Sequence, residues 1–128
     1  HPTDEYAKIY ENGQLGKTEM WYVLDSKRDT KLVYGLKRSC TKDEVKKAID
    51  NGLLMNYLQR VPVKKDDLFF IEAGTIHAIG AGALIVEIQE NSNLTYRLYK
   101  KFLYQRYDSY LFIYNLYYII SILMACAN

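Results

Sequence analysis

The sequence predicts a mainly β chain, an antiparallel sandwich or small barrel with inserted helices. Short runs rich in aromatic and β-branched residues recur along it, at Glu19–Asp25, Thr30–Leu36, Asp67–Ala73, His77–Gly80, Ala83–Gln89 and Leu94–Tyr99. Glycine-containing turns separate the runs beyond Pro62. Helical signals are confined to two places between the runs. Asp4–Glu11 reads as a short helix, with Asp4 and Glu5 favouring the positive end of the helix dipole. Thr41-Lys42-Asp43-Glu44 reads as a capping box, in which the Thr hydroxyl and the Glu carboxylate each satisfy a free backbone N–H. The helix it opens carries Val45, Ala48, Ile49 and Leu53 on one face, with Leu54 as an optional addition. It ends near Asn51-Gly52 or reforms as a further turn through Leu58.

At 128 residues the chain is expected to form one domain, large enough to bury a core. A net charge of +2, with basic and acidic residues interspersed, gives no broad basic field for nucleic acid. Cys40 and Cys126 are far apart and form no CxxC pair, which suits a reducing compartment. The polar N-terminus has no apolar signal core, so a cytoplasmic location is expected. A start at His1 rather than Met is expected of a processed chain, or of a fragment whose upstream part is missing.

Composition changes near Tyr99: eight of the thirteen tyrosines lie from Tyr96 onward, and Tyr110–Ala127 is an uncharged run of eighteen residues. That run is just long enough to span a bilayer as a helix. It has no flanking charge at its far end, so a membrane anchor is not favoured. Its Tyr, Ile, Leu, Phe, Asn and Lys content is what A/T-rich DNA encodes out of frame. The expectation is therefore a division at 99/100. Residues 100–128 would be an aberrant apolar tail, from a frameshift or a mispredicted end, lying outside the barrel as a C-terminal apolar helix.

The chain has two histidines, His1 and His77. In Asp66-Asp67-Leu68-Phe69-Phe70-Ile71-Glu72-Ala73-Gly74-Thr75-Ile76-His77 a strand would deliver the chain to a tight Gly turn, after which His77 points inward as a neutral imidazole. This run resembles the second cupin motif, with Asp67, Gly74 and His77 in step, Asp66 replacing the usual Gly and Glu72 the usual Pro. From its pattern alone, His77 is equally readable as a hydrogen-bonded, half-buried histidine.

Three further segments bear on the choice. His1-Pro2-x-Asp4-Glu5-Tyr6-Ala7, Gly16-Lys17-Thr18-Glu19-Met20-Trp21-Tyr22 and Glu87-Ile88-Gln89-Glu90-Asn91-Ser92-Asn93-Leu94-Thr95-Tyr96-Arg97-Leu98-Tyr99 stand in order with the first motif. Together the four resemble the elements of the type I mannose-6-phosphate isomerases, short bacterial form, over residues 1–99. The resemblance implies an incomplete, N-terminally truncated catalytic cupin domain, a jelly-roll barrel, that binds one Zn2+ per chain. It implies His1, Glu19 and His77 as metal ligands, and Arg97, Lys17 and Glu87 as catalytic residues. A further family ligand, a Gln two residues before the first His, lies outside the chain.

Two histidines and one carboxylate are what a catalytic zinc site needs, because they leave a coordination position open. Arg97 is permanently charged and suits a phosphate or a developing oxyanion. Lys17, two residues before Glu19, shares a strand face with it and is a plausible proton carrier or sugar-hydroxyl contact. Without the resemblance, Glu19 reads as a surface carboxylate at a strand start, Lys17 as a solvated lysine and Glu87 as an ordinary strand residue. The implied activity interconverts mannose 6-phosphate and fructose 6-phosphate, moving a proton between C2 and C1 through a cis-enediol. The expected partner is thus a small sugar phosphate, in carbohydrate metabolism. A cupin that holds metal or sugar phosphate without turnover, or an inactive fragment, are the alternatives.

Overall fold

The computed structural model describes residues 1–98 together with the backbone of residues 107–113 and 118–125. Helix α1 (Asp4–Tyr10) opens where the Thr3 hydroxyl accepts the Tyr6 N–H, 3.3 Å away. Strands β1 (Glu19–Ser26) and β2 (Lys31–Leu36) follow, then α2 (Lys42–Asp50), α3 (Leu54–Tyr57), β3 (Leu58–Pro62), β4 (Leu68–Ile71), β5 (His77–Ala78), β6 (Ala83–Glu90), β7 (Tyr107–Ile113) and β8 (Tyr118–Ala125). They build two antiparallel sheets, one ordered β4-β1-β6-β8-β7 and the other β3-β2-β5.

The main core lies between the sheets. Trp21, Val23, Ile71, Ala83 and Ile85 from the first pack with Leu32, Val63 and Ile79 from the second side. Each fully buried Val, Leu or Ile contributes roughly 1.5–3 kcal/mol. A smaller cluster of Val33, Leu54 and Leu58 takes in the α2 face through Val45 and Ile49. The capping box forms, Thr41 Oγ1 accepting from Glu44 N–H at 3.1 Å and Glu44 Oε2 from Thr41 N–H at 2.7 Å. The placing of Leu53 on that face is corrected: α2 ends at Asp50, Leu53 stands before α3 and is 48 % exposed, and Leu54 is the buried one.

Burial alternates strictly along β6, where Ala83, Ile85, Glu87 and Gln89 point inward. The same period buries Glu19, Trp21 and Val23 on β1. One continuous sheet face is thus apolar at the Val23–Ile85 end and charged at the Glu19–Glu87 end.

The mainly β expectation holds in its sandwich form: the described residues form two antiparallel sheets and no closed barrel. Two further expectations are corrected. Leu94–Leu98 is irregular rather than a strand. No C-terminal apolar helix forms over the described part of the tail: Tyr107–Ile113 and Tyr118–Ala125 are paired strands, and β8 also runs along β6 from Glu90↔Tyr118 to Leu84↔Met124. Length and lack of charge suggested a helix, but aromatic and β-branched residues favour strands, and β6 offers a free edge to pair. The division at 99/100 lies outside the described residues. Among the described residues no helix is long and apolar enough to cross a membrane.

Candidate metal centre

Three backbone devices bring the expected ligands together. Glu19 begins β1 and faces inward by strand period. His77 begins β5 just beyond Gly74, whose φ of +90° suits glycine and whose N–H donates to the His1 carbonyl at 2.8 Å. Asp66, in the place of the motif's usual Gly, adopts φ +71°, a conformation Asp tolerates. The N-terminal segment is tied to the approach to β1: Lys17 N–H donates to the Pro2 carbonyl at 3.1 Å, and Gly16 N–H to Asp4 Oδ1 at 2.7 Å. A Cβ on Gly16 would lie 2.6 Å from Pro2 O and Asp4 N, so only glycine permits this approach.

The result is a buried cluster. His1 Nε2 lies 3.0 Å from Glu19 Oε1, and His77 Nε2 lies 3.3 Å from Glu19 Oε2. One ligand atom from each of the three residues lies within 4.8 Å of the others. Two donors each about 2.1 Å from a tetrahedral ion sit about 3.4 Å apart. The two Glu19–imidazole separations lie near that value, and the 4.8 Å span of the set would have to close for all three to reach one ion.

The donor chemistry fits as well. His77 Nδ1 lies 2.8 Å from the Thr75 carbonyl, which can only accept, so Nδ1 carries the proton. In the metal-free chain a protonated His77 can donate from Nε2 to Glu19 Oε2 at 3.3 Å, whereas a neutral His77 would offer its Nε2 lone pair to a cation shared with Glu19. A backbone carbonyl fixing the distal nitrogen is the usual support for a metal-binding histidine. His1 Nδ1 is buried without a hydrogen-bond partner among the described residues.

Lys17 and Glu87 are also placed at the cluster. Lys17 Nζ lies 3.5 Å from Glu19 Oε1, with its side chain 10 % exposed. Glu87 stands opposite Trp21 in the β1–β6 register, and Trp21 Nε1 donates to Glu87 Oε2 at 2.8 Å and to Glu19 Oε2 at 3.1 Å. Burial pushes Glu19 up, but the hydrogen bond with His77 and the charges of His77 and Lys17 outweigh it, holding the carboxylate below its ordinary range. Burial and then the Glu19 charge push Glu87 up to about 7, against the Trp21 hydrogen bond and the Lys17 charge. Two carboxylates against one ammonium leave the pocket short of positive charge when both are ionised.

Arg97 is not brought in: it is exposed in the irregular segment after β6, and no hydrogen bond or ion pair links it to the cluster. Trp21 was not foreseen as a site residue. Its signal was its spacing, two residues after Glu19 and so on the same strand face.

No protein-family profile matches the chain. Individual proteins do. The mannose-6-phosphate isomerase ManA of Bacillus subtilis is 49 % identical over 109 residues, which are 85 % of this chain and 33 % of that protein. A mannose-6-phosphate isomerase of Streptococcus mutans is 41 % identical over 99 residues, covering 77 % of this chain and 31 % of that protein. The crystal structure of a mannose 6-phosphate isomerase from Bacillus subtilis superimposes with a TM-score of 0.74 at 41 % identity, over 84 % of this chain and 33 % of that one. Over most of its length the chain is therefore a homologue of the mannose-6-phosphate isomerases, and it spans about a third of their length.

Proposed function

We propose that this chain carries the zinc centre of a mannose-6-phosphate isomerase, with His1, Glu19 and His77 as the protein ligands. The observation that carries the reading is the convergence of those three side chains on one buried point, in a chain whose homologues are named for that activity. A nitrogen and carboxylate donor set suits Zn2+, and the ion, when bound, supplies a fixed positive charge that polarises a sugar oxygen.

The remaining roles belong to the chain itself. Glu87, buried beside Glu19 and held by the Trp21 N–H, is one proposed proton carrier for the transfer between C1 and C2. Lys17, buried beside Glu19, is the other candidate and also a donor to a sugar hydroxyl. Trp21, Val23 and Ile85 form the apolar floor that keeps water from the acidic end of the sheet face. Arg97 is assigned to the phosphate or to the enediolate charge, which requires its segment to move towards the cluster. Its exposure favours a second reading, a module that holds metal and sugar phosphate without turnover.

The experiment is to incubate the zinc-loaded chain with mannose 6-phosphate and follow fructose 6-phosphate by NMR. The reading predicts turnover that chelation removes and zinc restores. Zinc binding without product establishes the second reading instead.

A further inference from the structure

Trp21 is the chain's single tryptophan and is 2 % exposed. An apolar packing role accounts for its ring, which joins Val23, Ile71 and Ile85 in the main core. It does not account for its N–H. The indole nitrogen is a donor only, and here it is shared between two carboxylates, Glu87 Oε2 at 2.8 Å and Glu19 Oε2 at 3.1 Å. The ring also meets His77 edge-on, with centroids 5.3 Å apart and an interplanar angle of 74°. One rigid side chain thus touches a proposed ligand carboxylate, a proposed ligand imidazole and the carboxylate beside them.

The Glu19 oxygen that Trp21 holds is the one that faces His77 Nε2. The other oxygen faces His1 and Lys17. Rotation of the Glu19 carboxylate would break both sets of contacts, and the indole N–H is the neutral donor that opposes this rotation on the His77 side. The same N–H holds Glu87 in register from the neighbouring strand.

We infer that Trp21 is a positioning residue for the metal centre, its indole N–H fixing the Glu19 carboxylate towards His77 and tying Glu87 to the same point. The inference rests on the metal-centre part of the proposed function. Trp21→Phe removes the N–H and keeps an aromatic ring in the core. Loss of an outer-shell partner of this kind lowers metal affinity by roughly 10–100-fold.

The test uses the whole chain and Zn2+ alone. Affinity is measured by competition with a chromophoric chelator for wild type and W21F. In parallel, the single indole N–H resonance of the wild type is followed during zinc titration. The expected results are a 10–100-fold weaker affinity in W21F and a saturable shift of the indole resonance at one equivalent of zinc. The resonance reports the hydrogen bonding and electrostatic surroundings of Nε1 and needs no variant to fold. A shift links the indole N–H to zinc binding, while the W21F affinity separates positioning from packing. Wild-type affinity in W21F, or an indole resonance unmoved while zinc saturates the chain, overturns the role of Trp21 alone. A wild-type chain that takes up no zinc overturns the metal centre itself, and this inference with it.

Discussion

Glu19 and Glu87 reach the cluster from long strands, whereas His1 and His77 reach it from a terminal segment and a two-residue strand. The carboxylates belong to β1 and β6, each eight residues long and paired without a break from Glu19↔Gln89 to Val23↔Ile85, which fixes which side chains face inward at the site. The imidazoles depend on fewer backbone contacts: for His1, Gly74 N–H to its carbonyl and the Gly16 approach to Pro2 and Asp4, and for His77, the short pairing with Tyr34 on β2 and the Thr75 carbonyl at Nδ1. A registered strand spreads its positional restraint over many hydrogen bonds, so one substitution shifts it little. A loop held by a few contacts is moved by losing one of them. The acidic half of the site is therefore expected to tolerate backbone changes better than the imidazole half.

Gly16→Ala breaks the weaker side and should have the larger effect. The new Cβ meets backbone atoms of Pro2, Thr3 and Asp4 at 2.6 Å, so the segment carrying His1 must move. The expected outcome is zinc affinity at least ~10-fold weaker, with a loss of about 1–3 kcal/mol in stability. Gly13, at φ +76° with open space around it, is the control: Gly13→Ala should cost about 1 kcal/mol by chemical denaturation and leave zinc affinity alone. Equal zinc affinities for Gly16→Ala and wild type would show that the close approach does not place His1.

The strand side is tested in the metal-free chain, through a pH slope rather than a backbone displacement. Glu87 has an ordinary value of 4.5 and is pushed up to about 7 in the fold. Between those values the unfolded chain has lost the proton that the folded chain keeps. Raising pH through this window therefore lowers stability, and the loss levels off above about 7. Glu19, held below its ordinary value, contributes the opposite slope only at lower pH. Glu87→Gln keeps an acceptor for the Trp21 N–H and removes the titration. Denaturant melts of the apo chain from pH 5 to 8 should show a stability that falls for wild type relative to the variant, by on the order of a few kcal/mol at most, while the His1 α-amino group, lowered by burial, adds the same opposite slope to both. A wild-type slope that survives the substitution would place the titrating group elsewhere.

How much of this was legible in the sequence follows the same division. Lys17 and Glu19 share a face because strand side chains alternate, and that reading needs only spacing. The capping box at Thr41 and the tight turn at Gly74 were local signals of the same kind. Trp21 was hidden because a tryptophan beside apolar residues reads as core, and its hydrogen-bonding role appears only once the β1–β6 register sets it opposite Glu87. Strand β3 was missed because Leu58 was absorbed into the end of a helix. The tail was misread because eighteen uncharged residues satisfy a helix by length, while pairing with β6 is a long-range choice that no local pattern displays. Arg97 shows the reverse case: the family pattern placed it at the site, yet it stands exposed after β6.

The most direct test of the account is the zinc content of the whole chain after purification, zinc loading and exhaustive dialysis, measured by plasma mass spectrometry beside Glu19→Gln and His77→Ala. Glu19 is the one anionic member of the proposed ligand set, and its oxygens face both imidazoles. The account predicts one zinc per wild-type chain, and an affinity loss exceeding ~100-fold in either variant while far-UV circular dichroism stays unchanged. A wild-type chain without bound zinc, or variants that keep it at wild-type affinity, would contradict the account.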